Sequence, residues 1–72
     1  MQTTRMQCRF TVKEDAEGQP FLMAEPVGSM PLPILEGGFL SIGLKPGTSL
    51  QDAQALARSL NDKVSSLAYT GA

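Results

Sequence analysis

The chain has 72 residues and a mass of 7.7 kDa, which predicts one small domain, residues 1–72, whose core barely offsets the conformational entropy of the chain. A formal charge of −1 and a pI near 5.1 argue against a general attraction to nucleic acid or anionic membranes. One Cys and no His exclude an internal disulfide and an ordinary Ser-His or Cys-His catalytic pair, and argue against a zinc site. We therefore expect no enzymatic activity, no cofactor and no metal.

The cellular compartment is predicted from what the sequence lacks. Its apolar runs are too short to cross a bilayer, and its first residues lack the charged start and apolar stretch of a signal peptide. We therefore expect a cytoplasmic protein with no membrane partner.

The first predicted strand follows a short lead, residues 1–5, which we expect to be frayed. Residues 6–7 repeat the Met-Gln of residues 1–2, which leaves Met6 as an alternative translation start. From residue 6 to residue 13 apolar and polar side chains alternate, the pattern of a half-buried strand. The inward positions are Met6, Cys8, Phe10 and Val12. Because Cys8 lies among them, we interpret it as a small core residue rather than a reactive thiol.

A second strand is predicted at residues 21–24, after a loop, residues 14–20, whose acids, Gly and Pro are typical of a hairpin turn. Its sequence, FLMA, is apolar on both faces, so the alternation leaves open which side is buried. Residues 25–38 combine Pro and Gly with several apolar side chains. We expect this segment to fold back across an edge of the core, with Ile34–Leu35 starting a short hairpin.

A third strand is predicted at residues 39–45, with Leu40, Ile42 and Leu44 facing inward. One amphipathic helix, residues 47–68, is predicted next, opened by a Thr48-x-x-Gln51 capping box and followed by a frayed tail at residues 70–72. Its apolar stripe is Leu50, Ala53, Leu56, Leu60, Val64 and Leu67.

The start of this helix resembles the N-terminal domain of HicB-type antitoxins, in which a Gly-x-Thr-Leu-x-x-Ala stretch opens the helix. The matching residues are Gly47, Thr48, Leu50 and Ala53, with Leu50 one residue out of step. Most of them are capping residues, and we do not assign the chain to that family.

The order of elements predicts an α+β fold: an antiparallel three- to four-stranded sheet (β-β-(β)-β-α) with one C-terminal amphipathic helix packed on one face. The other side, which we call the outer face, is left uncovered. If Leu22 and Ala24 face the helix, then Phe21, Met23 and Glu25 lie outside; the opposite register exposes Leu22, Ala24 and Pro26 instead. The candidate partner-binding residues are Phe21, Met23, Phe39, Arg9, Lys13 and Lys45.

Two functions fit such a surface. In the first, the outer face or a strand edge binds protein, either a second copy of this chain in a homodimer or a larger protein that this chain serves as an inhibitor or accessory subunit. In the second, Phe21 and Phe39 stack the bases of a single-stranded nucleic acid while Arg5, Arg9, Lys13 and Lys45 contact phosphates. The remaining interpretation is that the basic residues only keep the sheet soluble. The acidic pI favours protein binding.

Overall fold

The computed structural model, which describes residues 1–71, confirms the α+β fold. Four antiparallel strands form one sheet in the order β3-β2-β1-β4, and a single helix packs on one face of it. The elements are β1 (Gln2–Glu14), β2 (Pro20–Pro26), a short 3-10 helix (Pro33–Leu35), β3 (Leu40–Gly43), α1 (Leu50–Lys63) and β4 (Ser66–Gly71).

The long strand β1 organises the sheet because each half of it has a different partner. Its first half pairs with β4, from Gln2 opposite Gly71 to Gln7 opposite Ser66. Its second half pairs with β2, from Cys8 opposite Pro26 onward. The molecule is therefore elongated, with extents of 39 × 25 × 20 Å. Its radius of gyration is 13.2 Å, against about 11 Å for a compact chain of this length.

The core lies between α1 and the inner face of β1 and β2. Alternate residues of both strands are buried there, as the period of two predicts for β1. Val12 and Leu44 were also predicted to face inward, but they are only partly buried. Ile42, on β3, remains 39% exposed because α1 lies over β1 and β2 rather than over β3. The fully or nearly buried side chains are Met6, Cys8, Phe10, Leu22, Ala24, Leu32, Ala53 and Ala57.

The buried side of α1 is centred on alanine, which differs from the predicted stripe. Ala53 and Ala57 face the sheet, and small side chains allow the helix backbone to approach it closely. Leu50 and Leu56 are 45% and 41% exposed because they flank this line on its two sides. The helix is capped by Ser49, whose Oγ accepts a hydrogen bond from the Asp52 amide at 3.0 Å.

The predicted Thr48 capping box is therefore wrong by one residue. Thr48 instead closes the turn before the helix, donating from its Oγ1 to the Lys45 carbonyl at 2.6 Å. Gly47 has φ +87 in this turn, and Pro46 precedes it, which is the arrangement of a type II turn.

The prediction that the helix continues to residue 68 is also wrong. Val64 is extended at φ −115 and ψ 125, and the chain then turns into β4. Residues 2–5, predicted to be a frayed lead, belong to β1 and pair with β4. Thr70 and Gly71, predicted to be part of a frayed tail, lie in β4; residue 72 is outside the described residues.

The segment between β2 and β3 folds back onto the core at Leu32, which is 3% exposed. The Val27 amide donates to the Gln7 carbonyl at 2.8 Å and the Gln7 amide donates to Ser29 Oγ at 3.0 Å, so this segment is tied to β1 at its start. The short hairpin expected at Ile34–Leu35 does not form, because these residues lie in the 3-10 helix that follows Leu32.

Candidate protein-contact surface

The register of β2 determines which side chains the outer face presents. Leu22 and Ala24 are buried against the helix side, at 0% and 2% exposure. Phe21 and Met23 therefore point to the outer face, where both are partly exposed. This is the first of the two registers that the sequence left open.

Cross-strand pairing places four of the six candidate residues together on β1 and β2. Lys13 lies opposite Phe21, and Phe21 lies opposite Gly43 of β3, so the ring has no bulky neighbour on that side. Arg9 and Met23 follow on the same face of these two strands.

Phe39 and Lys45 lie just outside the two ends of β3, so the structure separates them from one another. Phe39 directly precedes the strand and is 63% exposed. Lys45 follows the strand, and its carbonyl accepts a hydrogen bond from Gln19 Nε2 at 3.2 Å. We call Phe21, Met23 and Phe39 together with the rim residues Arg9, Lys13 and Lys45 the outer patch.

Glu25 lies on this surface, as predicted for this register, although it is not one of the six candidate partner-binding residues. It lies opposite Arg9, and its Oε1 accepts a hydrogen bond from Thr11 Oγ1 at 2.5 Å and lies 3.4 Å from Lys13 Nζ. The Thr11 hydrogen bond, helped by the positive charges of Lys13 and Arg9, holds the pKa of the Glu25 carboxyl below its usual value. Its position follows from the alternation of Phe21, Met23 and Glu25 along β2.

The described residues offer little for chemistry. Cys8 is buried, and this burial raises the pKa of its thiol, which disfavours the reactive thiolate. Within residues 1–71 no group of three or more His, Cys, Asp or Glu side chains is placed to hold a metal ion. The helix α1 is too short and too polar to cross a membrane, and no other helix among the described residues could do so.

A second exposed apolar region lies on the inner face of the sheet, where the first half of β1 pairs with β4 to form a two-stranded ribbon. A shallow groove of about 360 Å³ is lined there by Thr4, Leu32, Pro33, Ile34 and Tyr69. Ile34 and Tyr69 are 55% and 45% exposed.

Arg5, the fourth basic residue of the outer face, lies on this ribbon opposite Ala68, away from the outer patch.

Comparison with protein-family models, with curated proteins and with solved structures found no match for this chain.

Proposed function

We propose that this chain is a non-catalytic protein-binding module that uses the outer patch. The observation that carries the proposal is that Phe21 and Met23 point away from α1, with Phe39, 63% exposed, just before the start of the neighbouring strand β3. Large apolar side chains gathered on an uncovered sheet face are typical of association sites, where aromatic residues and Met supply the buried centre.

The rim of the patch supports a protein rather than a nucleic-acid partner. A phosphate-binding surface needs cations that are free to pair with phosphates. Here Lys13 is paired with Glu25, and Arg9 lies opposite the same carboxylate. A rim of mixed charge surrounding an apolar centre is instead the usual anatomy of a protein interface.

The partner is a second copy of this chain or a larger protein, for which this chain acts as an inhibitor or accessory subunit. In either form the apolar centre is buried and the charged rim fixes orientation. The free Cys8 is compatible with the reducing cytoplasm that we propose as its location.

The test is affinity capture from the native host followed by mass spectrometry, and then binding measurements with variants of the chain. Phe39→Asp places a charge in the apolar centre and is expected to weaken binding of the captured protein at least about 30-fold, in the range of interface hot spots. Met30→Asp is the matched control, because Met30 is 82% exposed but lies outside the patch. Equal binding by both variants, with unchanged circular dichroism, would refute the proposal.

The nucleic-acid alternative is tested with single-stranded DNA and RNA at several salt concentrations. Phosphate contacts would give an affinity that falls steeply as salt increases. We expect no measurable binding near physiological salt, and a salt-dependent affinity that Lys13→Ala reduces would favour the alternative.

A further inference from the structure

The outer edge of β4 carries a row of unpaired backbone groups. The Cys8 amide donates to the Ser65 carbonyl at 3.1 Å, and this fixes which residues of β4 bond to β1. In an antiparallel ladder the direction of the backbone groups alternates along the strand. The N–H and C=O groups of Leu67, Tyr69 and Gly71 therefore point to β1, whereas those of Ser66, Ala68 and Thr70 point away from the sheet.

Two other stretches of edge, at Phe10 on β1 and along β3, are less open to pairing. Past the N-terminal end of β4, the N–H and C=O groups of Phe10 on β1 are both hydrogen bonded to the side chain of Asn61. The edge strand β3 has four residues and is followed closely by Lys45 and Pro46. Short strands, Lys and Pro are the features that protect edges from pairing. β4 has six residues with no charged side chain and no Pro.

We propose that the β4 edge pairs with the β4 edge of a second copy of this chain around a two-fold axis. Antiparallel pairing is self-complementary, since each donor on one copy meets an acceptor on the other. The register that uses all outward groups places Ala68 opposite Ala68, with Ser66 opposite Thr70 on both sides. It forms about six backbone hydrogen bonds.

The side chains fit this register on both faces. On the outer face only the small side chains of Ser66, Ala68 and Thr70 meet across the axis. On the inner face Leu67 of each copy lies opposite Tyr69 of the other, and aromatic and aliphatic cross-strand pairs stabilise sheets. Tyr69 is 45% exposed in the single chain, and this pairing would bury more of its side chain.

The edge is also held in its binding shape before a second copy arrives. Thr3 Oγ1 and Thr70 Oγ1 are hydrogen bonded at 2.8 Å across the ribbon. The ring of Tyr69 lies over Gly71, where an added Cβ would come within 2.7 Å of Cε1. A preformed strand loses little conformational entropy on pairing.

Electrostatic repulsion across the axis is small. The nearest charge on β1 is Arg5, opposite Ala68. Two copies of Arg5 would stand three strand spacings apart, about 14 Å, which exceeds the Debye length of about 8 Å at physiological ionic strength.

The dimer joins two four-stranded sheets into one continuous sheet with both outer faces on the same side. Neither copy of the outer patch is covered, so self-association and binding of another protein are compatible. The β4 pairing does not depend on the proposed function of the outer patch and can fail or hold independently of it.

The first test is the molecular mass in solution over a dilution series, for the wild-type chain and two variants. Ala68→Pro removes an outward N–H without touching the bonds to β1, and the two-fold axis doubles the loss. We expect its dimer dissociation constant to rise by about 30-fold. Ser41→Pro is the matched control, because Ser41 points its backbone groups outward at the edge of β3 and should leave the dimer unchanged.

The second test uses only the wild-type chain, so it does not depend on folding of a variant. Amide hydrogen exchange at Ser66, Ala68 and Thr70 is expected to slow as protein concentration rises, while exchange at Ser41 and Gly43 stays constant. A chain that is monomeric at millimolar concentration would overturn the proposal. So would a dimer that resists Ala68→Pro and is broken by Phe39→Asp, since its interface would be the outer patch.

Discussion

The side-chain amide of Asn61 bonds to both backbone groups of Phe10. Its Oδ1 accepts from the Phe10 amide at 2.7 Å, and its Nδ2 donates to the Phe10 carbonyl at 2.9 Å. β4 begins at Ser66, opposite Gln7, so on this side of β1 no strand reaches Phe10. The side chain of one helical residue thus replaces a strand and ties the end of α1 to the sheet.

Replacing Asn61 should destabilise the fold more than its exposed position on the helix would indicate. Asn61→Leu keeps the approximate shape of the side chain but leaves the Phe10 N–H and C=O unpaired, at a cost of about 1–2 kcal/mol in the free energy of unfolding. Urea denaturation measures this difference. Gln54→Leu, at an exposed helix position, is the control and should stay within about 0.5 kcal/mol of wild type. Equal effects of both substitutions would contradict the proposed role of Asn61.

The close approach of α1 to the sheet should make its buried alanines intolerant of larger side chains. Ala57→Leu forces extra volume against the sheet and should cost about 1–3 kcal/mol in the free energy of unfolding. Ala55→Leu, on the exposed side of the same helix, should change it little. Thermal unfolding of both variants provides the comparison, and a neutral Ala57→Leu would show that the helix is farther from the sheet.

The pKa of Glu25 should depend on the hydroxyl of Thr11. This hydrogen bond is the main cause of the lowered pKa, so Thr11→Val should raise the pKa towards its usual value while Thr11→Ser should not. A titration followed by NMR of the carboxyl carbon measures it. Because the folded pKa is lowered, Glu25 adds stability above the unfolded pKa of about 4.3, and this is lost as the pH falls through the folded value. An unchanged pKa in Thr11→Val would contradict the prediction.

Cys8 should react slowly with thiol reagents in the folded chain. Burial limits access and raises the pKa of the thiol, so less thiolate is present near neutral pH. Labelling at pH 8 should be at least about ten-fold slower in buffer than in concentrated urea. A chain with Cys8→Ala and Gln54→Cys is the control and should label quickly in both conditions. Rapid labelling of folded wild type would place the thiol at the surface.

Local patterns predicted much of the fold. The alternation from Met6 to Lys13 identified the inner face of β1 because polar and apolar residues differ clearly there. Which side chains of β2 face the helix could not be predicted, because residues 21–24 are apolar on both faces of the strand. Only the packing of the helix and the pairing with β1 determine the register. The same pairing places Glu25 opposite Arg9 and within 3.4 Å of Lys13 Nζ.

The end of the helix was missed because two periods fit the same residues. Leu60, Val64 and Leu67 follow a helical spacing, while Ser66 to Thr70 also alternate as a strand. Pairing with Gln2–Gln7, more than 55 residues away in the chain, favours the strand, and such long-range contacts have no local signal. The two segments expected to be frayed stabilise each other.

The central claim is that the outer patch binds protein, and the four methionines of the chain provide a direct test. With ¹³C-methyl methionine labelling, Met23 reports on the outer patch, Met6 on the core, and Met30 on the exposed loop after β2. On addition of the captured partner, we expect the Met23 methyl signal to shift or broaden while those of Met6 and Met30 stay in place. A shift at Met30 with Met23 unchanged would contradict the claim.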